Sequence, residues 1–220
     1  PTPEAAVALT AQLQQFAATT RQKIPLLLGA DQEGAWGVMV PGSSTGPGNM
    51  ALGATGRPED AFAMYEVIGK ELRAVGLNAV FAPSADCNSN PTNSIIGMRS
   101  FGENPRLVAA MTAAAVRGAR AWGVIATLKH FPGHGDTTTD THRGLATVHR
   151  SREALMAIDL YPFAAGIKAG ARVREQLAFT ALVQCHAPQG EDLRASGEQC
   201  LACLANGLGR KPGQETVAEL

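Results

Sequence analysis

Short apolar runs alternate with helical stripes along this chain, and that alternation limits its fold more than any other feature. Ile24-Pro25-Leu26-Leu27-Leu28-Gly29, Ala79-Val80-Phe81-Ala82 and Val124-Ile125-Ala126-Thr127-Leu128 read as strands, apolar on both faces as in a buried parallel sheet. Thr2-Pro3-Glu4 supplies an N-cap with proline at the first helical position, and Ala6, Leu9, Leu13 and Phe16 recur at helical spacing behind it. Pro58 opens a second helix with Ala61, Tyr65, Ile68, Leu72 and Val75 on one stripe, and Gly76 ends it. Asn104-Pro105 caps a third, carrying Leu107, Met111, Ala114 and Gly118, and a further helical stretch runs from Ser151 towards Ala169. The expected class is α/β, a parallel sheet covered by helices, with barrel and doubly wound sheet both open on this pattern.

Polar residues stand where the strands end. Asp31 follows the first run, Asp86 the second and Lys129-His130 the third. Both architectures place ligands at the carboxyl ends of their strands. Two connections are long, Pro83 to Glu103 and Lys129 to Arg150. Loops beyond about 12–15 residues inside a compact domain are usually functional.

Composition narrows the function classes. Lys+Arg and Asp+Glu both number 19, so nothing electrostatic favours nucleic acid or an anionic membrane as partner. Aromatics are 5%, which leaves no base-stacking platform. No apolar run approaches the roughly 20 residues of a membrane helix, and the first residues lack the basic and apolar regions of a signal peptide. Cys87, Cys185, Cys200 and Cys203 are too sparse for a disulfide scaffold, which points to a reducing compartment.

The second long connection reads Lys129-His130-Phe131-Pro132-Gly133-His134-Gly135-Asp136-Thr137-Thr138-Thr139-Asp140-Thr141-His142. In an extended segment Asp140 and His142 point to one face, where the carboxylate can fix the imidazole tautomer and support its charged form. Such a pair serves as general acid and then general base. A metal site built from His130, His134, Asp136, Asp140 and His142 is the rival, opposed by the adjacent Lys129 charge and by the lack of any H-E-x-x-H spacing. Asp31 can accept paired hydrogen bonds from neighbouring sugar hydroxyls, and Arg99 can donate through its planar fork. Gly53-Ala54-Thr55-Gly56 has the wrong glycine spacing for a nucleotide turn, and Cys200-x-x-Cys203 fits a zinc knuckle only loosely.

Taken together, these segments resemble glycoside hydrolase family 3 in its bacterial β-N-acetylglucosaminidase branch. The matching pieces are Asp31-Gln32-Glu33-Gly34, Pro47 to Gly53, Phe81-Ala82-Pro83, Arg99-Ser100-Phe101-Gly102, Lys129 to His142, Arg150 to Glu153 and Asp159 to Phe163. The resemblance implies a (β/α)8 barrel and retaining cleavage of terminal β-linked N-acetylglucosamine, without cofactor or metal. It assigns Asp31, Arg99, Lys129 and His130 to sugar binding, and Asp140 with His142 to the acid/base dyad. It also implies a role in cell-wall recycling in the cytoplasm.

This sequence departs from the family's pattern in three places. Ala35-Trp36-Gly37 replaces the usual glycine and arginine after the first motif, and the chain starts after the family's first strand. Beyond Ala169-Gly170-Ala171 there is no Thr-Asp strand end, whose aspartate is the family's nucleophile; Glu191-Asp192 has no similar surroundings. The expectation is therefore a partial barrel over residues 1–171 and a tail of separate origin over 172–220. Turnover would be weak or absent, with a non-catalytic sugar-binding remnant as the alternative and a metal-dependent hydrolase as a more distant one.

Overall fold

The computed structural model describes residues 2–35, 42–141, 144, 146–176, 183–186 and 192–195, the last two stretches and 173–176 by their backbone. Helix α1 spans Pro3–Thr19, with Thr2 as N-cap accepting from the Ala5 amide. Strand β1 is Gly29–Ala30. Helix α2 (Asn49–Thr55) and helix α3 (Pro58–Ala74) lead to strand β2, Ala79–Val80. A 3-10 turn at Gly97–Arg99 precedes helix α4, Pro105–Ala121, which Asn104 caps through the Arg106 and Leu107 amides. Strand β3 (Ile125–Phe131), strand β4 (Val148–Arg150), helix α5 (Arg152–Ala157) and helix α6 (Leu160–Ala169) follow. Strands β5 (Val173–Gln176), β6 (Val183–His186) and β7 (Asp192–Ala195) come last.

One four-stranded sheet runs β1-β2-β3-β5, every neighbour parallel. Its order follows the chain without reversal, as barrel strands do and doubly wound sheets do not. A second sheet joins β4 to β6 in parallel and β6 to β7 antiparallel. The core lies between the first sheet and helices α3, α4 and α6, around Tyr65, Ile68, Leu72, Met111, Val116, Leu128 and Phe163. Close helix approach depends on Gly118, where a Cβ would lie 2.3 Å from the Phe62 carbonyl oxygen. β3 is buried along most of its length, as its two-faced apolar run requires.

Three expectations change. The run Ile24 to Gly29 is not a buried strand: pairing with β2 begins only at Leu28, whose carbonyl accepts from the Asn78 and Ala79 amides. Before it, the Leu26 amide is taken by the Gln14 side chain and the Leu28 amide by Asn78 Oδ1, so side chains replace a strand partner. Ile24 and Leu27 are accordingly exposed, as are Leu9, Leu13 and Phe16 of the α1 stripe. What α1 turns inward is Thr10 and Ala17, with the Thr10 hydroxyl donating to the Val75 carbonyl at 2.8 Å.

The stretch from Ser151 to Ala169 divides into α5 and α6 at Ile158-Asp159. Pro162 has no amide hydrogen for the Ile158 carbonyl and its ring crowds that position. That carbonyl accepts from the Cys87 thiol instead, at 3.3 Å. Gly53, already unsuited by its spacing to a nucleotide turn, belongs to α2, where a Cβ would meet the Phe101 carbonyl oxygen at 1.7 Å; the glycine serves packing.

Candidate active site

The carboxyl ends of β1, β2 and β3 gather the polar residues, because a parallel sheet delivers consecutive strand ends to one edge. Lys129 leaves β3 almost fully buried, at 2% exposure, and its Nζ contacts Asp31 Oδ1 and Glu33 Oε1, the latter at 2.7 Å. Arg99, brought in by the 3-10 turn, grips Glu33 with both arms, Nε to Oε2 and NH2 to Oε1, each at 2.9 Å. Burial alone would raise the Glu33 carboxyl, but the hydrogen bonds and charges of Arg99 and Lys129 outweigh it and hold Glu33 below the usual carboxylate range. Asp31 keeps 46% of its side chain exposed and forms the open rim of the cluster.

A second cluster centres on Asp86. Its buried carboxylate accepts from Ser84 Oγ at 2.8 Å, from the His134 amide at 2.7 Å and from the His130 amide at 3.1 Å, and meets His130 Nδ1 at 2.8 Å. The other imidazole nitrogen of His130, Nε2, lies 3.1 Å from Arg99 NH2. A guanidinium only donates, so Nε2 accepts and the proton sits on Nδ1 facing Asp86. Burial would raise Asp86, yet the His130 interactions, the His134 amide and Ser84 bring it down to about 2.

His134 is buried too, its Nδ1 against the Thr137 hydroxyl and its carbonyl accepting from Asn93 at 2.7 Å. Burial lowers its pKa. Among the described residues no three His, Cys, Asp or Glu side chains converge as a metal site. Of the described loop candidates, His130 is engaged by Asp86 and Asp136 by Arg150.

Asp140 is described, and its carbonyl accepts from the Gly144 amide at 3.1 Å. His142 lies outside the described residues, as do Trp36, Gly37, Glu191, Cys200 and Cys203. The structure thus brings together four of the sequence candidates, Asp31, Arg99, Lys129 and His130. It adds Glu33 and Asp86, which the sequence shows only as parts of motifs at strand ends.

Below this layer Arg150 pairs with Asp159 at 2.8 Å and with Asp136 at 3.1 Å. Burial pushes the Asp159 carboxyl up to about 7, against the pull of Arg150 and with the help of the Asp136 and Asp86 charges. In an unfolded chain an aspartate titrates near ~3.9, so the folded state holds the extra proton between those values. That contribution to stability is full below about pH 4 and lost as pH rises through the folded value. Asp159→Asn, neutral throughout, is expected to flatten the decline in the urea midpoint between about pH 4 and pH 7. An undiminished decline would remove Asp159 as its source.

The strand-end motifs find their match in the comparisons: the family model of the glycosyl hydrolase family 3 N-terminal domain aligns with residues 2–201. This chain belongs to that family. Its barrel is the TIM-like (β/α) fold to which the sequential parallel strands β1-β2-β3-β5 correspond. Among curated family 3 relatives, beta-hexosaminidase A of Pseudoalteromonas piscicida is 43% identical over 168 residues, covering 74% of this chain and 28% of its own length. The beta-hexosaminidase of Xylella fastidiosa strain M23 is 41% identical over 170 residues, 73% of this chain and 50% of its own.

Among solved structures, a family 3 beta-N-acetylglucosaminidase from Paenibacillus sp. str. FPU-7 superposes with a TM-score of 0.73 at 44% identity, over 81% of this chain and 35% of that one. NagZ from Neisseria gonorrhoeae, in complex with N-trifluoroacetyl-D-glucosamine, gives 0.71 at 29% identity over 82% and 53%. The chain therefore spans half or less of the length of the curated relatives named here. Among the described residues no helix is long and apolar enough to cross a membrane.

Proposed function

We propose that this chain supplies the sugar-gripping floor and the proton-transfer loop of a retaining glycosidase that removes terminal β-linked N-acetylglucosamine. The observation that carries the reading is the buried Lys129, tied to Asp31 and Glu33 at the strand ends, with Arg99 and His130 beside it. Charged groups fixed in advance around a half-open rim suit neutral polyhydroxy ligands, because each hydroxyl replaces a water without reorganising the site. The names of the family 3 relatives, beta-hexosaminidase and beta-N-acetylglucosaminidase, support the choice of sugar.

In the proposed cycle, Asp31, Arg99, Lys129 and His130 hold the sugar hydroxyls while His142, oriented by Asp140, protonates the departing glycosidic oxygen. The bond from the anomeric carbon to that oxygen breaks as a carboxylate bonds to the anomeric carbon. His142 then takes a proton from the water that releases the sugar. The carboxylate must lie about 5–5.5 Å from the acid/base group. Residues 172–220 contain no Thr-Asp strand end to provide it, and the second reading is a sugar-binding chain without turnover of its own. We retain residues 1–171 as the part that carries the grip and the loop. The family model aligns beyond residue 171, to residue 201, and the backbone of β5 extends the parallel sheet.

A chromogenic β-N-acetylglucosaminide separates the readings. The expected result is weak turnover that His142→Ala abolishes, or binding without turnover. Full activity indifferent to His142→Ala would end the assigned role of that residue.

A further inference from the structure

The segment that carries Asp140-x-His142 has two feet, Asp136 beyond the end of β3 and Arg150 at the end of β4. We propose that Arg150 is a positioning residue: it fastens those feet to each other and to the base of the site, and so limits the freedom of the connection that carries the acid/base pair. The inference rests on the reading of Asp140 and His142 as that pair.

Arg150 distributes its guanidinium over three partners that come from three parts of the chain. Its Nε meets Asp159, at the junction of α5 and α6, at 2.8 Å. Its NH2 meets Asp136 at 3.1 Å and donates to Ser89 Oγ at 2.6 Å. Ser89 Oγ in turn donates to Asp136 Oδ1 at 3.1 Å, which closes a triangle of Arg150, Ser89 and Asp136. Asp159 is fully buried and Arg150 only 15% exposed, so that pair is shielded from the salt and water that weaken surface pairs.

The Asp136 foot is fastened again by the first long loop. The Asn90 amide donates to the Gly135 carbonyl at 3.2 Å and its side chain to the Asp136 carbonyl at 3.3 Å. Gly135 fits because a Cβ there would meet the Cys87 carbonyl oxygen at 1.8 Å. On the other side Arg150 runs directly into Ser151, the N-cap of α5. Each foot is thus part of the rigid base, and the Arg150–Asp136 pair sets the span between them. A planar guanidinium can face two carboxylates and a hydroxyl from different directions, whereas a lysine ammonium is a compact point charge.

The test uses the full-length protein with Asp136→Asn, which opens the feet but leaves the buried Arg150–Asp159 pair, and with Arg150→Lys. Amide hydrogen exchange is expected to accelerate on the order of tenfold within residues 137–149 and to stay unchanged in α4. Affinity for N-acetylglucosamine should remain within about twofold, since Lys129 and its partners are untouched. Proton donation matters most for poor leaving groups, and contributes about 10²–10⁴-fold. Both variants are therefore expected to lose kcat/KM at least tenfold more on the phenyl than on the 2,4-dinitrophenyl glycoside. Unchanged exchange in Asp136→Asn, or equal losses on the two glycosides while His142→Ala separates them, would overturn the proposal. Equal losses in His142→Ala itself would instead overturn the acid/base reading beneath it.

Discussion

Replacing Glu33 by alanine is expected to destabilise the chain by about 3–5 kcal/mol, the usual cost of removing one partner from a buried ion cluster. The reason is an imbalance of charge in a dry place. Lys129 and Arg99 both place their cationic heads on this one carboxylate, and Asp31, half exposed, pairs with the lysine. Without Glu33, the guanidinium loses both of its 2.9 Å acceptors and keeps the Ile95 carbonyl at 3.2 Å. Glu33→Gln keeps the shape and one acceptor but no charge, so a smaller loss is expected. Urea unfolding reads both: a lower midpoint with an unchanged slope marks lost stability. A Glu33→Ala midpoint within about 0.5 kcal/mol of the parent, the range of ordinary surface substitutions, would show that the cluster is not balanced on Glu33.

Asp86→Ala is expected to cost at least about 3 kcal/mol, because each buried donor left without an acceptor costs about 1–3 kcal/mol and several lose theirs together. The His130 amide, the His134 amide, the His130 ring and the Ser84 hydroxyl all converge on this carboxylate. The loss should reach function too, since His130 would be free to rotate or change tautomer beside Arg99.

The pH dependence has a definite sign. Asp86 titrates near about 2 in the folded state, below the ~3.9 of an unfolded aspartate. Its contribution is therefore present above about pH 4 and lost as pH falls through the folded value, worth on the order of 2–3 kcal/mol. Asp86→Asn should flatten the acid limb of the stability profile, the opposite side from the limb governed by Asp159. An acid limb as steep as the parent's would assign it to other carboxylates.

The sequence shows where a parallel sheet presents its ligand-facing residues, because that requires only a short apolar run followed by a polar residue. Asp31 and Lys129-His130 are legible on those grounds. Glu33 is not: its importance comes from Arg99 and Lys129, far along the chain, which reach it only once β1 and β3 lie in one sheet. Arg150 is hidden for the same reason, since its partners Ser89, Asp136 and Asp159 come from three segments. The apolar run at Ile24 misleads because hydrophobicity does not name a partner. The backbone hydrogen bonds there go to Gln14 and Asn78 side chains, an arrangement with no periodic signature. The pattern also leaves barrel and doubly wound sheet open, since the difference lies in strand order, a property of the assembled sheet.

Binding of N-acetylglucosamine at the Lys129 cluster is read by calorimetric titration of that sugar into the protein. Saturable heat is expected at millimolar sugar, removed by Lys129→Met and preserved in Asp136→Asn. No heat from the parent protein, or equal binding by Lys129→Met, would rule the cluster out as the sugar site.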